Sequence, residues 1–150
     1  MKPTNRRFEL GADVGADGSI EHYRLSGRVK KDNLTLATKS KWDESFELES
    51  ARLSARYKVK TSGPVSTNAL DLGGTLTLGE GGALKKGSAD LSLSRGNWNY
   101  RGSVNRDFEL ESLGAELSAG YKKGNLEFHG LGGYNEDRGA YVGAGLTFRF

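Results

Sequence analysis

The sequence predicts an all-β fold, an antiparallel up-and-down β-barrel of about ten strands, with eight as the smaller alternative. Two observations carry this. Apolar residues recur at every second position along almost the whole chain, and the helical period is missing almost everywhere. The alternating stretches are joined by short runs of Gly, Asp, Asn, Ser and Lys, so consecutive strands have to be antiparallel neighbours.

The strands follow in order. Phe8, Leu10, Ala12 and Val14 alternate with Arg7, Glu9, Gly11 and Asp13, leaving residues 1–5 as an N-terminal tail of a single domain, 1–150. Tyr23, Leu25, Gly27 and Val29 alternate with His22, Arg24, Ser26 and Arg28. Leu34, Leu36, Thr38, Ser40 and Trp42 make a third set, and Ala51, Leu53, Ala55, Tyr57 and Val59 a fourth. Leu70–Leu78, Ala89–Leu93, Trp98–Val104, Ala115–Tyr121, Leu126–Tyr134 and Ala140–Phe150 continue the pattern. Turn chemistry separates them, as in "ADGS", "KKDN", "WDES", "SRGN", "KKGN" and "NEDRG". Two boundaries are ambiguous. Even-numbered parity runs unbroken from Leu34 to Leu48 and from Trp98 to Leu110, so those turns can also be drawn at Glu49–Ser50 and Glu111–Ser112. The segment "FELESARLSARYK" at 46–58 resembles "FELESLGAELSAGYKK" at 108–123, as duplicated hairpins would.

Composition narrows the class. The formal net charge is +3, from 22 basic and 19 acidic residues that are interspersed, which argues against nucleic acid as a partner. There is no cysteine, hence no disulfide and no thiolate metal site. No apolar run approaches the roughly 20 residues of a membrane-spanning helix. "MKPTNRRFEL" has no apolar core of a signal peptide, so the chain is read as cytoplasmic or as one whose leader has been removed.

A meander with one apolar and one charged face can close with the apolar face inside, as a soluble barrel, or outside, against lipid. The aromatic residues point to lipid. Of 14, all but Tyr141 fall on the apolar face. Phe8, Tyr57, Trp98, Tyr100, Tyr121, Phe128, Phe148 and Phe150 fall towards one end of the strands; Tyr23, Trp42, Phe46, Phe108 and Tyr134 fall towards the other. Leu, Ala, Gly, Val and Thr fill the band between. Two aromatic belts around an aliphatic band are what a bilayer selects, whereas a soluble core uses its large rings in the middle. The opposite face carries Glu9, Asp13, Arg24, Arg28, Arg52, Arg56, Asp71, Asp90, Arg101, Glu116, Glu127 and Arg149, with Lys39 and Lys41. Both signs interleave, as they do in a narrow lumen filled by paired charges.

The chain ends "AYVGAGLTFRF". Gly145, then Phe148, then Phe150 as the last residue resembles the C-terminal signal of small bacterial outer-membrane β-barrel proteins. The resemblance implies a transmembrane barrel whose last strand is read by the barrel-assembly machinery and closes against the first. It also implies an outer-membrane location, with membrane lipid as the surrounding partner. Members of that class usually have some long outer loops; the short connections here argue against adhesion or receptor roles.

Catalytic chemistry is hard to find. The two histidines, His22 and His129, fall on the charged face without metal-ligand spacing. No G-x-S-x-G and no triad cluster is present. "GLGGYNEDRG" is glycine-rich but precedes no helix, so it is not a phosphate loop. The expectation is a non-enzymatic barrel with no cofactor, no metal site and no catalytic residues, acting as a structural component or a narrow, low-conductance pore. The rivals are a soluble up-and-down barrel binding an apolar ligand, and a fragment or engineered derivative of a larger porin or autotransporter. The connections also sort by charge. Alternate ones hold Asp17, Asp43 and Glu44, Glu80 with Lys85 and Lys86, Arg106 and Asp107, and Glu136, Asp137 and Arg138, while the others hold Lys30, Lys31 and Asp32, Lys58 and Lys60, Arg95, and Lys122 and Lys123, so one end is richer in acids and the other basic.

Overall fold

The computed structural model describes residues 4–62 and 67–149. Alternation becomes ten strands: β1 (Asn5–Val14), β2 (Ile20–Lys31), β3 (Leu34–Asp43), β4 (Leu48–Ser62), β5 (Thr67–Leu78), β6 (Leu84–Arg95), β7 (Trp98–Asp107), β8 (Ser112–Lys123), β9 (Leu126–Asn135) and β10 (Gly139–Phe148). They form one sheet in sequence order, each strand antiparallel to the next. The strand count is ten rather than eight. β1 takes in Asn5, the last residue of the expected tail, because its rung to Lys30 extends the ladder. We call the end at which β1 finishes the upper end.

The register staggers steadily across the sheet. One row of directly paired residues starts at Asn5, the first residue of β1. It passes through Lys30, Thr35, Arg56, Gly73, Asp90, Ser103, Glu116 and Gly133 to Tyr141, near the upper end of β10. Such a shear is what a tilted, curling sheet requires. Closure is a separate matter: among the described residues β1 and β10 are not paired with one another. The expected closing of the last strand against the first is therefore not made, and both edges stand open.

Because successive side chains point to opposite faces, the register fixes two uniform surfaces. Phe8 lies in one row with Gly27, Thr38, Leu53, Leu76 and Gly87. The adjacent rows carry the charges. Among the described residues no second layer covers either face. No hydrophobic side chain among the described residues is buried, and Leu10, Leu117 and Val142 are 79%, 71% and 89% exposed.

The connections explain the parity breaks seen in the sequence. At the lower end, Asp32–Asn33, Gly96–Asn97 and Gly124–Asn125 are two-residue turns whose first residue has positive φ: 50°, 57° and 56°. In each, the Asn carbonyl then accepts the backbone N–H of the following strand, from Lys58, Lys122 and Arg149 respectively, at 2.9–3.0 Å. Three of the upper connections, 15–19, 44–47 and 108–111, are longer and lean on an aspartate carboxylate. Asp43 Oδ1 accepts the N–H groups of Ser45 (2.9 Å) and Glu47 (2.8 Å). Asp107 Oδ1 accepts those of Glu109 and Leu110 (both 3.1 Å).

The hairpin boundaries left open by the sequence fall on the earlier positions, with the turns at 44–47 and 108–111. Glu49–Ser50 is instead a register shift. Leu48 pairs with Trp42 and Ser50 with Lys41, so Glu49 is the extra residue of a bulge that moves the apolar set from even to odd numbers. The same device occurs at Glu21 and Lys85, near the starts of β2 and β6. In β8 the turn itself does this work: Asp107 pairs with Ser112, and Glu111 takes a φ of 54°. The repeated "FELES" thus adopts two conformations. It enters β4 through Phe46 at a φ of 61°, but spans the whole β7–β8 turn in its second copy.

Gly124→Ala places a Cβ in the left-handed region and should lower the unfolding free energy by about 1 kcal/mol. Gly11→Ala, in an extended strand with open space around its Cβ, should not. Urea titration of the two variants measures both effects.

Candidate functional site

The charged face is built by β-register, which stacks acids and bases of neighbouring strands into rows. Arg24 Nε donates to Asp13 Oδ2 at 2.8 Å between β2 and β1. Glu9 lies 2.5 Å from Arg7 and accepts the Ser26 hydroxyl at 3.3 Å. Arg56 pairs with Asp71 at 2.6 Å and with Asp90 at 3.0 Å, and Lys58 meets the second Asp71 oxygen at 2.9 Å. Glu127 stands 4.0 Å from Arg149. The bulge residue Glu49 gathers Lys41 at 2.8 Å and His22 Nδ1 at 3.1 Å, the latter without the alignment of a hydrogen bond. At the upper end Lys86 pairs with Asp107 (2.9 Å) and Lys85 with Glu109 (3.0 Å).

Two side-chain hydrogen bonds span three strands, and each crosses a glycine. Arg56, Gly73 and Asp90 occupy one row on β4, β5 and β6; Glu116, Gly133 and Tyr141 continue the same row on β8, β9 and β10. Strands lie about 4.8 Å apart, so residues two strands away are separated by about 10 Å at the backbone. A long side chain bridges that gap only if the middle position is empty. A Cβ on Gly73 would lie 2.5 Å from Asp90 Oδ1, and one on Gly133 would collide with the Tyr141 hydroxyl. The Tyr141 hydroxyl donates to Glu116 Oε2 at 2.8 Å.

All twelve charges expected on this face are there, but they are not alike. Nine carry partners: Glu9, Asp13, Arg24, Arg56, Asp71, Asp90, Glu116, Glu127 and Arg149. Arg28, Arg52 and Arg101 make no ion pair or side-chain hydrogen bond among the described residues. The sequence reading missed Gly73, Gly133 and Tyr141 as members of the network. The double glycines at 73–74 and 132–133, placed inside strands, were the available signal, since such glycines mark close approach.

On the apolar face the aromatics take the expected ends of their strands. Phe8, Tyr57, Trp98, Tyr100, Tyr121, Phe128 and Phe148 lie towards the lower ends, and Tyr23, Trp42 and Tyr134 towards the upper. Phe46 and Phe108 sit in upper turns rather than strands. Phe46 stacks on Tyr23 with centroids 4.5 Å apart, and Phe108 lies under Arg106 at 5.4 Å. Trp98 stacks on Tyr100 (5.9 Å) and leans on its cross-strand partner Tyr121 (4.8 Å). The Trp42 indole donates to Ser40 Oγ at 2.9 Å, which satisfies its polar edge within the apolar face. The belts are interrupted: β5 and β6 contain no aromatic residue. Of the terminal motif, Phe148 pairs with Leu126, and Gly145 lies against His129, whose ring a Cβ would strike. Phe150 lies outside the described residues.

At the upper rim, the Ser19 hydroxyl (2.6 Å) and backbone N–H (3.0 Å) bond to Asp17 Oδ1 and hold its carboxyl below the usual carboxylate range. No protein-family profile, curated protein or solved structure matches the chain.

If Gly133 is the gap that lets Tyr141 reach Glu116, the two residues act as one unit. Tyr141→Phe should cost about 1 kcal/mol, and Gly133→Ala at least as much, while the double variant costs clearly less than the sum. A double-mutant cycle by urea unfolding measures the coupling; strict additivity would refute it.

Proposed function

We propose that the chain is a non-enzymatic outer-membrane β-barrel, structural or forming a narrow, low-conductance pore, with the charged face as its lumen. One observation carries this reading: an entire face of Leu, Ala, Gly, Val and aromatic residues is left uncovered, while on the opposite face nine of the twelve expected charges bond to neighbours. Exposed apolar surface on this scale marks a surface meant for lipid or a partner. The aromatic ends and the bonded lumen charges fit lipid. The C-terminal resemblance adds the assembly machinery as the partner that reads β10.

Lipid also demands that the open edges be paired, since an unpaired N–H or C=O costs several kcal/mol there. The row stagger selects the register. Eight strands with a shear of eight tilt by about 36°, and membrane-type tilts of about 35–45° give ten strands a shear of roughly 10 to 13. Like faces meet only for even values. Counting from Tyr141 in the Asn5 row, a shear of about ten sets Arg7 opposite Arg149. A shear of about twelve sets Glu9 opposite Arg149 and Leu10 opposite Phe148. Opposed like charges destabilise and opposed unlike charges stabilise a strand pair, so the second register is the one proposed.

The soluble rival has one observation in its favour, an open depression of about 530 Å³ on the apolar face between Phe8, Leu36, Leu53 and Leu76. A need for detergent separates the two readings: a chain that stays monomeric and folded without it is not this barrel. Within the membrane reading, Leu117→Arg should cost roughly 2–4 kcal/mol on refolding into lipid vesicles, and its lumen-facing neighbour Ser118→Arg much less. Equal tolerance overturns the face assignment.

For the seam, cysteines replacing Glu9 and Arg149 should form an intramolecular disulfide in the refolded protein, and cysteines replacing Arg7 and Arg149 should do so far more slowly. The reverse order selects the smaller shear. Linkage only between chains would show that the edges pair with a second copy.

A further inference from the structure

The charged face is not evenly neutralised, and the imbalance is local. Across β4 to β8, the hollow around Ser92 and Ser118 is lined by Arg56 and Arg101 against Asp71, Asp90 and Glu116. Across β2 to β5, towards the lower end, a second hollow of about 890 Å³ has the opposite character. Arg28, Lys30, Arg52, Arg56, Lys58 and Lys60 line it, with Asp32 and Asp90 as the only acids. Asp71 and Asp90 already engage Arg56, and Asp71 engages Lys58. Arg28, Lys30, Arg52 and Lys60 make no ion pair among the described residues.

The register makes this a hollow rather than a ridge. Arg28 stands in a row whose next members are Ala37, Ser54 and Thr75, all short. The row above it contains Arg52, and the row below contains Lys30, Arg56 and Gly73. A floor of small side chains is thus ringed by cations, with Thr35 and Thr75 hydroxyls as further donors. Unpaired cations held this close repel one another, a cost that persists unless an anion enters. Guanidinium groups present paired donors suited to phosphate oxygens, and several cations at once favour a multiply charged ligand.

We propose that this hollow binds a small polyphosphorylated anion, of the pyrophosphate class, supplied from the aqueous lumen. The assignment rests on the reading of the charged face as a lumen only for the direction from which the ligand arrives.

The test is calorimetric titration of sodium pyrophosphate into the full-length chain, in detergent micelles or, should the chain prove soluble, in plain buffer. Saturable binding that weakens as salt is raised is expected. Lys30→Gln combined with Arg52→Gln should weaken it at least tenfold, with a urea midpoint no lower than that of the parent chain. Arg101→Gln, in the acid-rich hollow, should leave it within twofold. Phosphatidylglycerol vesicles form the second arm, and their binding should not change in the double variant. No binding of pyrophosphate, equal losses in both variants, or vesicle binding that alone depends on Lys30 and Arg52 would overturn the proposal. The need for detergent is recorded separately, so the membrane reading can fail while the anion site stands.

Discussion

Backbone pairing between neighbouring strands bears the whole of this structure, because no second layer packs on either face. In a sandwich or an α/β protein, burial of side chains supplies most of the driving force, and the ladder mainly avoids a penalty. Here no described hydrophobic side chain is buried, so in water the ladder would trade protein hydrogen bonds for water's at little net gain. In hydrocarbon the balance inverts. Each rung then avoids an unsatisfied polar group, and the apolar face loses nothing by exposure. The sheet is thus a structure whose stability depends on its solvent, which is why the uncovered face weighs more than any single residue.

The second dependence is on empty positions. Side chains on the charged face are crowded by the strand spacing along one direction and free along the other. Gly73 and Gly133 open the crowded direction and let Arg56 and Tyr141 reach across a strand. These links tie three strands together in a way that nearest-neighbour pairing cannot. They also bear on where charge is left over: Arg56 draws on both Asp71 and Asp90, while Arg28 and Lys30 of β2 and Arg52 of β4 make no ion pair among the described residues.

How much of this could be read from the sequence differs by the range of the interaction involved. Strand number, order and facing depend on residues two apart, and alternation displays those directly. The Glu49 bulge was visible only as a parity break, because one extra residue in a strand and one shifted turn leave the same trace in a linear pattern. What decided between them was the carboxylate of Asp43, which fixes the turn by bonding two N–H groups before Leu48 is reached. The glycine bridges were not legible, since Arg56 and Asp90 are neighbours only once two registers are known. The open seam was not legible either, because pairing of the first and last strands leaves no local signature at all.

The same turn chemistry accounts for the charge difference between the two ends. Four- and five-residue turns leave N–H groups without a ladder partner, and at the upper end Asp17, Asp43 and Asp107 supply acceptors for them. A carboxylate is the strongest acceptor available, so that rim becomes acidic as a consequence of its loop length. Two-residue turns need a residue tolerant of positive φ, which Asp32, Gly96 and Gly124 provide, and the following Asn carbonyls find their partners in the next strand. Asp32 is the one carboxylate in these three turns, and the flanking Lys30, Lys31, Arg95, Lys122 and Lys123 make no ion pair among the described residues. The alternation of long and short connections thus sets a charge gradient along the strands, and the cationic hollow between β2 and β5 lies at its positive end.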